Sequence, residues 1–217
     1  MLLCRRTSEI STSLAWTLTS TAKAGLTKHP RILSFYLSFF MGIYTKKGDR
    51  GNTCLYGKSK NVEKFSNRIN SIGAIDELNS YLGVCISFSG DHLLTEKIKK
   101  IQNDLFVMGS VMGGSSLKFY KTRVKRLEEE VDDLEKKLPK LSNFIFPGGV
   151  PSGSMLHYAR SLARKAEREI FKLNRKEKVS DGILEYANRL SDYLFVLARW
   201  ENVKSGVKEE LWKGFFK

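Results

Sequence analysis

Residues 68–83 read RINSIGAIDELNSYLG, and the spacing of their apolar side chains decides the fold class. Ile69, Ile72, Leu78, Leu82 and, just beyond the stretch, Cys85 recur at intervals of three, four and six residues. That pattern lays an apolar stripe along one side of an α-helix, because residues three and four apart share a face. A helix is expected from Glu63 to Ser89.

The same periodicity continues toward the C-terminus. A second helix is expected over about Leu93 to Gly109, with Ile98, Ile101, Leu105 and Met108 on one side. A third, Val124 to Leu138, is short, highly charged and closed by Pro139, which cannot continue a helix. Pro147, Gly148, Gly149, Pro151 and Gly153 then form a rigid turn. A fourth helix, Met155 to Leu173, buries Leu156, Ala159, Ala163, Ala166 and Ile170. A fifth, Asp181 to Asn202, buries Leu184, Ala187, Leu190, Leu194 and Leu197, with Asp181 placed where a carboxylate suits the helix dipole. Five helices, short loops and few β-branched runs predict an all-α protein, a five-helix up-and-down bundle.

Residues 1–40 differ in kind. They are rich in Ser and Thr and carry five basic side chains against Glu9 alone. This composition fits a mitochondrial transit peptide, which would place the body in the mitochondrial matrix. The competing expectation is a wrongly assigned start, with translation beginning at Met41 and a cytoplasmic protein. The organised body is residues 41–217. With 217 residues in all, the chain suits one domain and a leader.

The formal net charge is +14. A surface this basic attracts polyanions of every kind and chooses none of them. Cys4, Cys54 and Cys85 form no CxxC and lie near no histidine at metal-ligand spacing, so neither a disulfide scaffold nor a zinc site is expected. The longest apolar run, Ile32 to Met41, is about half of what a bilayer crossing needs.

Before the first helix lies TKKGDRGNTCLYGKS, residues 45–59. Gly51, Gly57, Lys58 and Ser59 imitate a Walker A loop, but five residues separate the glycines where that loop has four. Small residues still let the backbone approach a ligand, and hydroxyls, amides and lysines donate to phosphate oxygens. An ordinary basic loop is the plain alternative.

On the fourth helix Arg160, Arg164 and Arg168 recur every four residues. Like charges at that spacing repel along one face and are better accounted for by an anion that guanidinium groups can clamp. A solvated basic face offset by Glu167 and Glu169 is the alternative. Asp76 borders the first apolar stripe, where a carboxylate needs a cationic partner unless it is simply a surface acid. Phe144 and Phe146 flank Ile145 just before the turn, and an aromatic there ordinarily belongs to the core.

Four segments taken together carry a resemblance: YTKKGDRGNTCLYG (44–57), RINSIGAIDELNSYLG (68–83), FIFPGG with LHYARSLARKAER (144–149 and 156–168), and NRLSDYLFVLAR (188–199). In order and spacing they resemble the PduO-type (human-type) ATP:cob(I)alamin adenosyltransferases, over about residues 41 to 202. The resemblance implies a homotrimeric helical bundle with sites between subunits. It also implies attack by the cobalt of cob(I)alamin on the 5′ carbon of ATP, giving adenosylcobalamin and triphosphate. Cobalt is then the nucleophile, which suits a chain short of catalytic Ser, Cys or His.

The resemblance further implies residue roles. Thr45, Lys46, Lys47, Gly48 and Thr53 would wrap the triphosphate with Cys54 beside it, and Lys64 would reach ATP ahead of the first helix. Arg164, Lys165, Glu167 and Arg168 would bind nucleotide from the fourth helix and Asn188 from the fifth. Asp76 and Arg160 would pair across the subunit interface. Phe144 would fill the lower face of the corrinoid, displacing cobalt's lower ligand and easing reduction to Co(I). Mg2+ would screen the triphosphate, and no protein-held metal is expected. A reductase and an adenosylcobalamin-dependent acceptor would be the partners.

Three positions depart from the family pattern. Phe146 stands where Leu is usual, Lys165 where a second Arg is usual, and Cys54 where no fixed residue is expected. Two other classes compete. A nucleic-acid binder would need stacking platforms or a groove-reading module, and neither is found. An ATP or cobalamin carrier without turnover would use the same residues.

Overall fold

The computed structural model describes residues 46, 48–55 and 61–214; the leader, Thr45 and Lys47 lie outside them. A two-stranded antiparallel hairpin opens the described chain, with β1 (Asn52–Cys54) paired to β2 (Asn61–Glu63) and Thr53 opposite Val62. Five helices follow: α1 (Asn67–Ser87), α2 (His92–Met112), α3 (Thr122–Glu135), α4 (Pro151–Asn174) and α5 (Asp181–Lys204). The expected five-helix bundle is therefore present, with a hairpin that helical periodicity does not register.

Two helix starts differ from expectation by a full turn, for physical reasons. Glu63 ends β2 instead of starting α1, and the helix nucleates at Ser66, whose Oγ accepts from the Ile69 amide at 3.4 Å. α4 begins earlier than Met155 because Pro151 sits at its first turn, where a fixed φ and a missing N–H cost nothing. The sequence marks that proline as a turn residue, and it serves instead as a helix start.

The helices are not packed in chain order. α4 lies between α1 and α5, α2 covers α1, and α3 covers α5. Leu78, Leu82, Ile98, Leu156 and Leu194 have no exposed surface, and each contributes about 1.5–3 kcal/mol by leaving water. Ala159, Ala163 and Ala166 keep α4 slim where it meets its neighbours. On α1 the buried stripe runs Ser71, Ala74, Ile75, Leu78, Leu82 and Cys85, with Ile69 and Ile72 only half-buried. Ser71 earns its place because its Oγ donates to the Glu169 carbonyl of α4 at 2.8 Å. Burial also pushes the Cys85 thiol up to about 11.

One buried carboxylate joins three helices. Asp104 of α2, with no exposed surface, accepts from Arg123 and Arg126 of α3 and from the Tyr186 hydroxyl of α5 at 2.9 Å. Beside it, Glu130 receives Lys97 and the Tyr193 hydroxyl. Burial pushes the Tyr186 hydroxyl well above its usual range, and the Asp104 charge adds to the effect.

Past α5 the chain turns at Gly206, φ +72°, and runs back along the bundle. Arg199 fixes this tail: its guanidinium donates to both Glu209 carboxylate oxygens, at 2.7 and 2.9 Å, and to the Pro139 carbonyl at 2.7 Å. The pair is almost fully buried, and charges taken out of water need such complete hydrogen bonding.

Candidate active site

The loop and hairpin carry the described members of the first group of expected residues, Lys46, Gly48, Thr53, Cys54 and Lys64. Gly51 (φ +80°) closes a turn through its amide to the Gly48 carbonyl at 3.3 Å, and the Lys64 amide donates to the Gly51 carbonyl at 2.9 Å. A Cβ on residue 48 would lie 3.3 Å from the Lys64 ammonium, so Gly48 allows Lys64 to lie across the loop. Lys46 adopts φ +55°, a left-handed conformation that non-glycine residues rarely hold. Thr53 is half-buried on β1, and the Cys54 thiol donates to Asn61 Oδ1 at 3.5 Å.

The second group sits where α4 and α5 run side by side. Asn188 donates from Nδ2 to Glu167 Oε1 at 2.8 Å, while its Oδ1 accepts from Arg189 Nη1 at 2.9 Å. Arg189 is itself held by Glu128 at 3.0 Å. Lys165 reaches across to Glu77 of α1 at 2.6 Å. Arg164 and Arg168 are exposed, and among the described residues neither meets a carboxylate at ion-pair distance. Fixed carboxylates thus offset Lys165 and Arg189 but leave two guanidinium groups on this face in surplus.

The remaining expected residues are Asp76, Arg160 and Phe144. Phe144 is 79% exposed, so the plain alternative of core burial does not hold. Arg160 is half-buried with its guanidinium 5.3 Å from the centre of the Phe195 ring, a cation–π contact that steadies it on α4. Asp76 is exposed on α1, turned away from the stripe that buries Ile75 and Leu78. His157 is buried close by; burial pushes its imidazole below the usual range, Arg160 and Arg199 push the same way, and Glu209 opposes them.

Sequence reasoning missed several residues that set this geometry. Asn202 accepts from the Val150 amide at 3.0 Å and donates to the Gly148 carbonyl at 2.9 Å, pinning the turn that follows Phe144. At Gly149, φ +111°, any Cβ would collide with Asn202, so that position requires glycine. Only this asparagine, at the end of an apolar stripe beside a Pro-Gly-Gly turn, was a usable signal. Glu77 gave no signal beyond an ordinary surface acid.

Among the described residues no helix is long and apolar enough to cross a membrane. The Cobalamin adenosyltransferase family profile matches residues 43–201. A corrinoid adenosyltransferase of Bacillus subtilis is 39% identical over 175 residues, 77% of this chain and 90% of that one. A corrinoid adenosyltransferase, MMAB, of Bos taurus is 32% identical over 186 residues, 79% and 76%. Among solved structures, a phenylalanine-to-alanine variant of the PduO-type ATP:corrinoid adenosyltransferase from Lactobacillus reuteri, complexed with cobalamin and ATP, matches with a TM-score of 0.77 at 35% identity. That match covers 80% of this chain and all of the other. With a family profile spanning the hairpin, four helices and most of the fifth, this chain belongs to the cobalamin adenosyltransferase family.

Proposed function

We propose that the surplus guanidinium groups of Arg164 and Arg168, beside the braced Asn188, receive the triphosphate of ATP. The chain is an ATP:corrinoid adenosyltransferase: it transfers the 5′-deoxyadenosyl group of ATP to the cobalt of cob(I)alamin, giving adenosylcobalamin and triphosphate. The cobalt electron pair forms the bond to C5′, the C5′–O bond breaks, and triphosphate leaves with the electron pair of the broken bond. The protein's task is to hold two substrates in line and to stabilise the charge gathering on the leaving group.

The observation that carries this reading is the uneven neutralisation of α4. Lys165 and Arg189 have carboxylate partners, whereas Arg164 and Arg168 do not, among the described residues. Arginine pairs bidentately with phosphate oxygens, so such a surplus suits a polyphosphate. Glu167 fixes the Asn188 amide, leaving it oriented toward nucleotide, and Lys165 with Glu77 sets the position of the α4 face.

Thr45, Lys46, Lys47, Gly48, Thr53, Cys54 and Lys64 supply the loop around the phosphates, and in a homotrimer that loop faces the arginines of a neighbouring subunit. Asp76 of one subunit pairs with Arg160 of the next. Exposed Val84, Phe88 and Tyr158, the last edge-on to Tyr81 at 4.9 Å, give this face the apolar area that an assembly covers. Phe144 forms the lower wall for the corrinoid. Mg2+ comes with the triphosphate: among the described residues no His, Cys, Asp or Glu group could cage it, and magnesium commonly keeps water and phosphate ligands.

A reductase supplies Co(I), and an adenosylcobalamin-dependent enzyme receives the product. The body is residues 41–217, working in the cytoplasm, or in the mitochondrial matrix should residues 1–40 act as a transit peptide. The deciding experiment is an anaerobic assay with chemically reduced cobalamin, ATP and magnesium, following absorbance as adenosylcobalamin forms. ATP-dependent product that is lost in Arg164→Ala and Phe144→Ala is the expected outcome. A folded protein that binds ATP without forming product would overturn turnover in favour of a carrier.

A further inference from the structure

Resting on the reading of Phe144 as the lower wall, we infer that Trp212 is a positioning residue that holds Phe144 in place, through a C-terminal strap of residues 207–214. The strap pairs antiparallel with the Phe144 segment. Ile145 stands opposite Leu211, the Phe146 amide donates to the Glu210 carbonyl at 2.9 Å, and the Trp212 amide donates to the Phe144 carbonyl at 2.7 Å. This register puts Phe144 and Trp212 directly across from each other, where cross-strand side chains meet. Their rings stand edge to face with centroids 6.3 Å apart.

The strap is anchored to the bundle at its α5 end. Toward α5, the buried Arg199–Glu209 pair and the Arg199 bond to the Pro139 carbonyl tie it to the bundle and to the start of the segment carrying Phe144. At its far end the backbone of Gly214 lies so near the Trp212 ring that any Cβ there would sit 2.6 Å from it. Trp212 itself remains 43% exposed, more than core burial alone would leave. An aromatic as exposed as Phe144 would otherwise turn between rotamers on the ps–ns scale. The strap gives it a fixed edge contact and a fixed backbone, so the wall is formed before the corrinoid arrives.

The test uses the full-length protein with ATP and cob(II)alamin, read by electron paramagnetic resonance for loss of the nitrogen lower ligand, and by steady-state kinetics. Trp212→Ala is expected to lower the fraction of ligand-displaced cob(II)alamin and to raise KM for the corrinoid by roughly tenfold, the scale of an aromatic pair, with KM for ATP unchanged. Trp212→Phe is expected to restore most of both. Should Trp212→Ala lose its helical signal, Trp212→Leu, which keeps an apolar group on the strap, is read in its place. A Trp212 variant matching the parent while Phe144→Ala loses the displaced form overturns the role of the strap alone. A Phe144→Ala variant that keeps the displaced form overturns the reading of Phe144, and this inference with it.

Discussion

The bundle treats charge in two opposite ways on its two sides. Between α2, α3 and α5, Asp104 is sealed from water and meets two guanidinium groups and a hydroxyl. Along α4, Arg164 and Arg168 stand in water without a carboxylate among the described residues. A buried charge must be fully matched within the fold, because leaving it unmatched costs several kcal/mol. An exposed one can be left for a ligand at little cost to stability. On the function proposed above, the difference separates residues that hold the bundle from residues that would receive a substrate.

If that division is right, Asp104→Ala has the largest effect. It should lower the free energy of unfolding by about 3–5 kcal/mol, measured by urea titration, while turnover per folded molecule stays near the parent value. Arg164→Ala should do the reverse, cutting kcat/KM for ATP on the order of a hundredfold with unfolding changed by no more than about 0.5 kcal/mol. Equal losses of stability in the two variants would erase the comparison.

Glu167→Gln sharpens it. The Asn188 amide loses a charged acceptor, and KM for ATP should rise about tenfold, the scale of one hydrogen bond to a charged group. Glu77→Gln, which frees Lys165 from an exposed pair, should change stability by less than about 1 kcal/mol by the same titration.

The smallest effect concerns pH. The His157 pKa lies lower in the folded protein than its ordinary value near 6.5, so its contribution to stability is present above that pH. It is lost as pH falls through the depressed folded value, because the unfolded chain takes up the proton first. His157→Gln should therefore flatten the decline in Tm between about pH 7 and 5, and an unchanged slope would assign that decline to other groups.

Helix identity was legible because apolar stripes repeat over many turns: Ile98, Ile101, Leu105 and Met108 are all buried as spacing predicts. The hairpin was not, because β1 and β2 have three residues each, too few for alternation to declare itself. Asp104 was passed over because one carboxylate inside the stripe of α2 looks like a solvated interruption until Arg123, Arg126 and Tyr186 converge on it. The strap was hidden for a related reason: Trp212 has its partner far away in the chain, at Phe144, and Glu209 meets Arg199 because the chain turns back at Gly206. Among the proposed site residues, Arg164, Arg168 and Asn188 stand out as a set only through the order of four motifs, since basic spacing alone equally describes a solvated face. The bracing of Asn188 by Glu167 and of Lys165 by Glu77 depends on how α1, α4 and α5 are apposed, which no local pattern encodes.

The environment of Cys85 gives the protein a built-in selectivity toward thiol reagents. A thiol with no exposed surface and a pKa raised to about 11 carries almost no thiolate at neutral pH, so alkylating dyes leave it intact. Cys54, half-buried in the hairpin, lacks that degree of shielding. With Cys4 replaced by Ser, a single fluorophore could be attached at residue 54, and the loop proposed to wrap the triphosphate would become its own optical reporter.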